Sequence, residues 1–219
     1  AMPVHSEPAP PPLPPPSLLH QRNDRTAGAP YPLSEYIRRF LWEIVQATLI
    51  RFSPRRAHAW RRFWLRRFGA TLADTACTKS STRIRHPWLL EVGEWSTIAE
   101  EVEVYNLGWI RIGRHTTVSQ RAWLCAGTHD YTRIDMPLIR PPIVIGDGVW
   151  VCAGAFVGPG VTIGHNAVVG ACSIVTRDIP QGAVAAGNPA RVVKTRPPPT
   201  DPLMPANPDA ANPDAPNPP

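Results

Sequence analysis

The chain has 219 residues, a net charge of +6 and a pI near 9.6. That excess of base makes an anionic partner plausible without choosing among nucleotide, nucleic acid and membrane. Cys77, Cys125, Cys152 and Cys172 form no close-set pair and no zinc-type spacing, which leaves them as small buried hydrophobes in a reducing compartment.

Both ends are rich in proline, with Pro3 and Pro8 through Pro16 at the start and a stretch from Pro197 to Pro219. Such segments lack the apolar content to offset the entropy of ordering, so residues 1–30 and 197–219 are expected to be disordered. No basic-then-apolar order marks a signal peptide, and the expected location is the cytoplasm. The 166 residues from Tyr31 to Arg196 suffice for one domain with a substantial core.

Residues 33–50 read as a helix. Ser34 stands where a cap is wanted, Pro54 lies beyond the end, and Ile37, Phe40, Leu41, Ile44, Val45 and Leu49 recur at three- and four-residue spacings, so one face is apolar. The run from Phe40 to Ile50 contains Glu43 and Gln46 and is well short of the ~20 apolar residues that cross a bilayer. A second helix, roughly 55–68, sets Trp60, Phe63, Trp64 and Phe68 among six arginines. Its first reading is a cap over a sheet end, so that 31–70 forms a helical cap; its second is peripheral contact with an anionic membrane.

From 71 to 196 the chain is governed by a period of six. The rhythm starts weakly with Leu72, Thr78 and Ile84, slips by two around His86-Pro87-Trp88, resumes at Val92, Ile98, Val104 and Ile110, slips by two to Ile112, and continues to Val118 and Leu124. After a gap it is strict: Ile145, Val151, Val157, Ile163, Val169 and Val175. Alternation within each hexad means extended backbone, and a strict six means that strands end and turn together. Three such faces per turn give a triangular parallel β-helix in which each aliphatic stacks on the one eighteen positions later. The interruption between Leu124 and Ile145 reads as a loop over 125–144 projecting from one face, with His129 at its root, and 183–196 reads as a closing segment.

The hexads Ile145-Gly-Asp-Gly and Val157-Gly-Pro-Gly, with Gly170-Ala171, Thr176-Arg-Asp-Ile-Pro180 and Gly187-Asn-Pro-Ala-Arg191, resemble the left-handed β-helix hexapeptide-repeat acyltransferases. Trp60-Arg-Arg, Phe68-Gly-Ala70, Pro87-Trp88 and Thr128-His-Asp130 resemble its colanic acid biosynthesis acetyltransferase branch. The resemblance implies a left-handed twist, a homotrimer and acetyl-CoA as cosubstrate in clefts between subunits, with no metal. It marks His129 as the catalytic base for direct acyl transfer to an acceptor hydroxyl, a role that imidazole suits near neutral pH. It sets Ala153 and Ala171 along the pantetheine arm, Thr176 and Arg177 near the adenine end and Arg191 near the phosphates; small residues admit a thin arm, and arginine offers paired donors to phosphate. Asn106, Asp130 and Trp150 are weaker candidates for the acceptor pocket, Asp130 also as a group that orients the imidazole.

The expected activity is O-acetylation of a sugar hydroxyl, in an exopolysaccharide or its lipid-linked oligosaccharide precursor. One alternative is transfer to a small non-sugar acceptor of the xenobiotic type. Another is a zinc enzyme resembling the γ-carbonic anhydrases, for which His115, His129 and His165 are the available ligands. A non-enzymatic scaffold binding nucleic acid or lipid through the basic helix explains none of the late-coil motifs, and no nucleic-acid partner is expected.

Overall fold

The structure is a computed structural model that describes residues 17–19 and 31–197. The disorder expected at either end falls otherwise outside the described residues. One part of that expectation is corrected, because Ser17–Leu19 forms a strand on Leu138–Arg140. Backbone hydrogen bonding to an available strand edge requires no apolar content of its own.

The hexads build three parallel sheets around a triangular coil. The first face stacks Thr71–Leu72, Leu90–Val92, Ile110–Ile112, Ile143–Ile145 and Thr162–Ile163. The second stacks Cys77–Thr78, Thr97–Ile98, Thr117–Val118, Trp150–Val151 and Val168–Val169. The third stacks Arg83–Ile84, Glu103–Tyr105, Trp123–Cys125, Phe156–Val157 and Ile174–Val175. Ile145 pairs with Ile163, Val151 with Val169 and Val157 with Val175, the eighteen-residue stacking that the period predicts. All six are essentially inaccessible, and burying an aliphatic side chain of this size contributes about 1.5–3 kcal/mol.

The corners repeat as closely as the faces. Trp95, His115, Gly148 and Asn166 have positive φ at successive levels between the first and second faces, and Glu101, Arg121, Gly154 and Cys172 do so between the second and third. At each of these corners one residue takes the left-handed conformation, which turns the chain within the four residues that separate successive two-residue strands. A Cβ at Gly148 would collide with the Asn166 side chain, so glycine there relieves both conformation and space.

Every departure from the six-residue period lies on the remaining edge, between the third and first faces. Ile84 to Val92 and Val104 to Ile112 each take two extra residues, and Leu124 to Ile145 takes fifteen. At the first, Pro87–Leu89 forms a 3-10 turn.

The first helix, α1, is Leu33–Val45, and it continues as a π-helical turn, Gln46–Ile50. Ser34 does not cap it. The N-cap is extended Pro32, with no side-chain bond, and Ser34 already lies inside the first turn. The second helix, α2, is His58–Arg67.

The two helices satisfy the first coil strand by strand. Arg66 donates to the Leu72 carbonyl, Arg61 to that of Thr78 at 2.8 Å, and Trp42 Nε1 to that of Ile84 at 2.6 Å, while Gln46 Oε1 accepts from the Ile84 N–H at 2.7 Å. Residues 72, 78 and 84 are the inward positions of the three end strands, so side chains replace the strand that a lower coil would supply. The π turn is where Gln46 reaches the coil. The apolar face of α1 points the other way: Ile37, Phe40, Leu41 and Ile44 are exposed, and Trp42 and Ile50 are buried. At the far end, Ala183–Gly187 extends the second face and folds back as Ala190–Thr195.

Candidate functional site

Thr128–His129 leaves the coil after the third face and pairs antiparallel with Leu138–Arg140, His129 opposite Leu138. Ser17–Leu19 lies on the other side of Leu138–Arg140. The arm returns closely over the coil, since a Cβ on Gly108 would meet the backbone oxygen of Arg140. Its tip carries Tyr131 and Ile134, both almost wholly exposed.

His129 is exposed, and its Nδ1 lies 2.7 Å from the Met136 carbonyl oxygen. A carbonyl only accepts, so Nδ1 carries the proton and Nε2 presents its lone pair outward. Asp130 is beside it in sequence but bonded elsewhere: its Oδ1 accepts from the Thr132 N–H and hydroxyl, and its own N–H donates to Pro137. The imidazole is therefore oriented by Met136, not by Asp130, which shapes the arm's turn. Nothing in the spacing of the sequence pointed to Met136, because its role depends on the arm closing.

Ala153 and Ala171 occupy the same corner on successive levels, between the second and third faces, where the Ala153 carbonyl accepts from the Cys172 N–H at 2.9 Å. The closing hairpin continues this ledge, with Ala186 opposite Arg191, and Arg191 is exposed. Thr176 and Arg177 are exposed at the next corner of the last full coil. Arg196 is differently placed, donating to the carbonyls of Gly148 and Asn166 and tying the chain's return to the corner.

Within one chain, then, His129 and the alanine ledge stand on different edges, with the third face between them. Trp150 lies on the second face, half exposed, its Nε1 donating to Ser119 Oγ at 2.9 Å. Asn106 is brought to no surface. It is fully buried, its Oδ1 accepts from the N–H groups of Arg85 and His86, and its Nδ2 donates to the His86 carbonyl. His86 Nδ1 in turn bonds to the Asn106 carbonyl at 3.0 Å. Asn106 thus stitches two coils at the first length irregularity, with both lone pairs of its Oδ1 and one Nδ2 hydrogen engaged.

The other polar candidates are also accounted for. Burial pushes the thiols of Cys125 and Cys152 up, so both stay protonated near neutral pH and make poor nucleophiles. None of the four cysteines is buried as expected: Cys77, Cys125 and Cys152 are half-buried, and Cys172 is exposed at a positive-φ corner. His115 and His165 lie on the edge between the first and second faces, and His129 on another; His165 Nδ1 accepts from the Asp147 N–H at 3.0 Å. Among the described residues no three His, Cys, Asp or Glu side chains form a metal-binding group.

Residues 142–177 match the family described as bacterial transferase hexapeptide, six repeats. Over 156 residues the chain is 42% identical to the protein named for colanic acid biosynthesis acetyltransferase, WcaF, of Escherichia coli K12, covering 71% of this chain and 86% of that one. Among solved structures it is similar to a maltose O-acetyltransferase of Clostridium difficile 630, with a TM-score of 0.68 and 27% identity over 76% of this chain and 90% of that chain. A hexapeptide-repeat acetyltransferase of Vibrio cholerae, solved with acetyl coenzyme A, gives a TM-score of 0.66 and 26% identity over 74% and 89%. The chain belongs to the hexapeptide-repeat acyltransferases, with WcaF among its relatives, and it is an acetyltransferase.

Proposed function

We propose that this chain transfers an acetyl group from acetyl-CoA to a sugar hydroxyl, in an exopolysaccharide or its lipid-linked oligosaccharide precursor, on the cytoplasmic side. The observation that carries this reading is the fixed tautomer of His129 at the root of an exposed arm. With Nδ1 held by Met136, Nε2 accepts the proton of the acceptor hydroxyl as its oxygen attacks the thioester carbonyl. Collapse breaks the carbon–sulfur bond, and the same nitrogen returns the proton to the departing thiolate. No acyl-enzyme is needed.

The split geometry favours a homotrimer. The ledge of Ala153 and Ala171 admits a thin pantetheine arm, with Arg191 beyond it for phosphate and Thr176 and Arg177 at the adjoining corner. His129 of one subunit would serve the ledge of the next, and the exposed arm tip of Tyr131 and Ile134 suits a contact across that boundary. The half-exposed Trp150 is suited to walling the acceptor side.

The test is transfer from labelled acetyl-CoA to a panel of sugars, nucleotide sugars and lipid-linked oligosaccharides, with His129→Ala as control. Label on a sugar hydroxyl, lost in the variant, is expected. Transfer only to amines or to small antibiotic alcohols sinks the sugar assignment.

A further inference from the structure

The amphipathic helix α1 is mounted with its apolar side outward. Leu33, Ile37, Phe40, Leu41 and Ile44 form one stripe along it, each between 45% and 73% exposed. An apolar stripe normally faces the core, but here the inner side is taken by Trp42 and Gln46, whose bonds to Ile84 fix the helix on the coil. The stripe is continued by α2, where Trp60 Nε1 donates to the Leu49 carbonyl at 2.9 Å and Trp60 and Phe63 are about half exposed. Among the described residues nothing covers it.

The charge around this surface selects its occupant. Residues 31–70 hold nine arginines and two glutamates, a surplus of seven that exceeds the +6 of the whole chain. Arg61, Arg62 and Arg66 are turned inward to coil carbonyls. Arg55 and Arg56, in the connection between the helices, and Arg67, at the end of α2, are exposed and have no carboxylate partner among the described residues. We infer that the outward face of α1, with the exposed end of α2, lies on an anionic lipid surface, its apolar residues at the acyl boundary and these arginines among the headgroups. A second copy docking through the same face fits less well, because it would bring two arginine-rich surfaces together without a counter-charge. At 13 residues, α1 lies on a bilayer, and no described helix is long and apolar enough to cross one.

This differs from the membrane contact expected of residues 55–68 alone: α2 is chiefly the coil's cap, and α1 supplies most of the apolar face. The inference rests on the acetyl-transfer reading only for its use, since a lipid-linked oligosaccharide presents its hydroxyls at such a surface.

The test is flotation of the full chain with vesicles of phosphatidylcholine, alone or with phosphatidylglycerol. Binding to the anionic vesicles only, weakened by salt, is expected. Phe40→Ser with Ile44→Ser, and separately Arg55→Glu with Arg56→Glu, should each lower the bound fraction at least about tenfold. All four positions are exposed, so both variants should melt as the parent does. Failure of the parent to float with anionic vesicles overturns the inference, as does undiminished flotation of the serine variant. A serine variant that keeps its flotation but changes its mass in solution assigns the face to another copy, and also overturns it. Transfer to a soluble sugar by the serine variant should be unchanged: lost flotation in the parent with intact transfer sinks this inference alone, and absent transfer with intact flotation sinks the acetyl-transfer reading alone.

Discussion

The Nδ1 atom of His129 and the carbonyl oxygen of Met136 are 2.7 Å apart, across a loop that closes between them. This bond leaves Nε2 as the ring's only acceptor. His129→Ala should lower turnover by about 10²–10⁴-fold, the usual range for a general base. The side chain is exposed, so the melting temperature should stay within about a degree of the parent's, and a large drop in it would transfer the effect to folding.

Asp130 separates shape from chemistry. Its carboxylate closes a turn onto Thr132 and makes no bond to His129. Asp130→Ala should loosen the arm by about 1 kcal/mol, seen as faster limited proteolysis within 131–136, with a loss of turnover under about tenfold. A loss as deep as that of His129→Ala would place Asp130 in the reaction.

Asn106 gives the opposite pattern. Asn106→Ala leaves the buried His86 N–H without a partner, while the Arg85 N–H keeps the Val104 carbonyl and the His86 carbonyl keeps the Leu89 N–H, at a cost of about 1–3 kcal/mol. Denaturant unfolding should show this loss, and the activity per folded molecule should hold. Lost activity at full stability would return Asn106 to the acceptor site.

His86 makes the fold sensitive to acid. Burial is the main cause that lowers its pKa from 6.5 to about 4, with Arg39 next, against the bond to the Asn106 carbonyl. Below pH 6.5 the unfolded chain takes up a proton that the folded chain refuses until about pH 4, so stability rises with pH through this window and is lost as pH falls. Up to about 3 kcal/mol is at stake. Unfolding free energies at pH 7 and pH 5 should differ in the parent and converge in His86→Gln; equal slopes in both would remove His86 as the cause.

Arg61 tests the cap. It is wholly buried and donates to the carbonyls of Thr78, Pro54 and Arg55 and to the hydroxyl of Ser53. Arg61→Met keeps the apolar stem and strands these acceptors, costing about 2–4 kcal/mol. Arg61→Lys should recover only part of it, because an ammonium cannot reproduce the planar fork. Full stability of the methionine variant in thermal melts would mean that the carbonyls find other donors.

The coil was legible because its rule is local: one inward aliphatic per hexad, repeated until the ladder from Ile145 to Val175 admits a single register. His129 was legible as the residue where that rule stops. What could not be read depends on which surfaces meet. The spacing of Ile37, Phe40 and Ile44 defines a face of α1 without saying whether it turns inward, and the decision falls to Trp42 and Gln46 through their bonds to Ile84. In the sequence Asn106 reads as a buried polar side chain near the cleft with an amide to offer a sugar hydroxyl, whereas the extra residues at Pro87 create buried amides that need it. Met136 acts through its backbone, which has no sequence signature.

The crowding of all extra residues onto one edge of the prism has a bearing on how such an enzyme changes its acceptor. Two edges are locked by repeated left-handed corners, where one added residue would flip the following strand inside out. The third edge has already absorbed two short insertions and one long arm while Ile84, Val104, Leu124, Val157 and Val175 remain in a common ladder. Arms of other lengths and compositions grafted at this edge should therefore fold, so that, on the proposed assignment, acceptor preference can drift there as a separate module while the proposed cofactor ledge on the neighbouring edge is inherited unaltered.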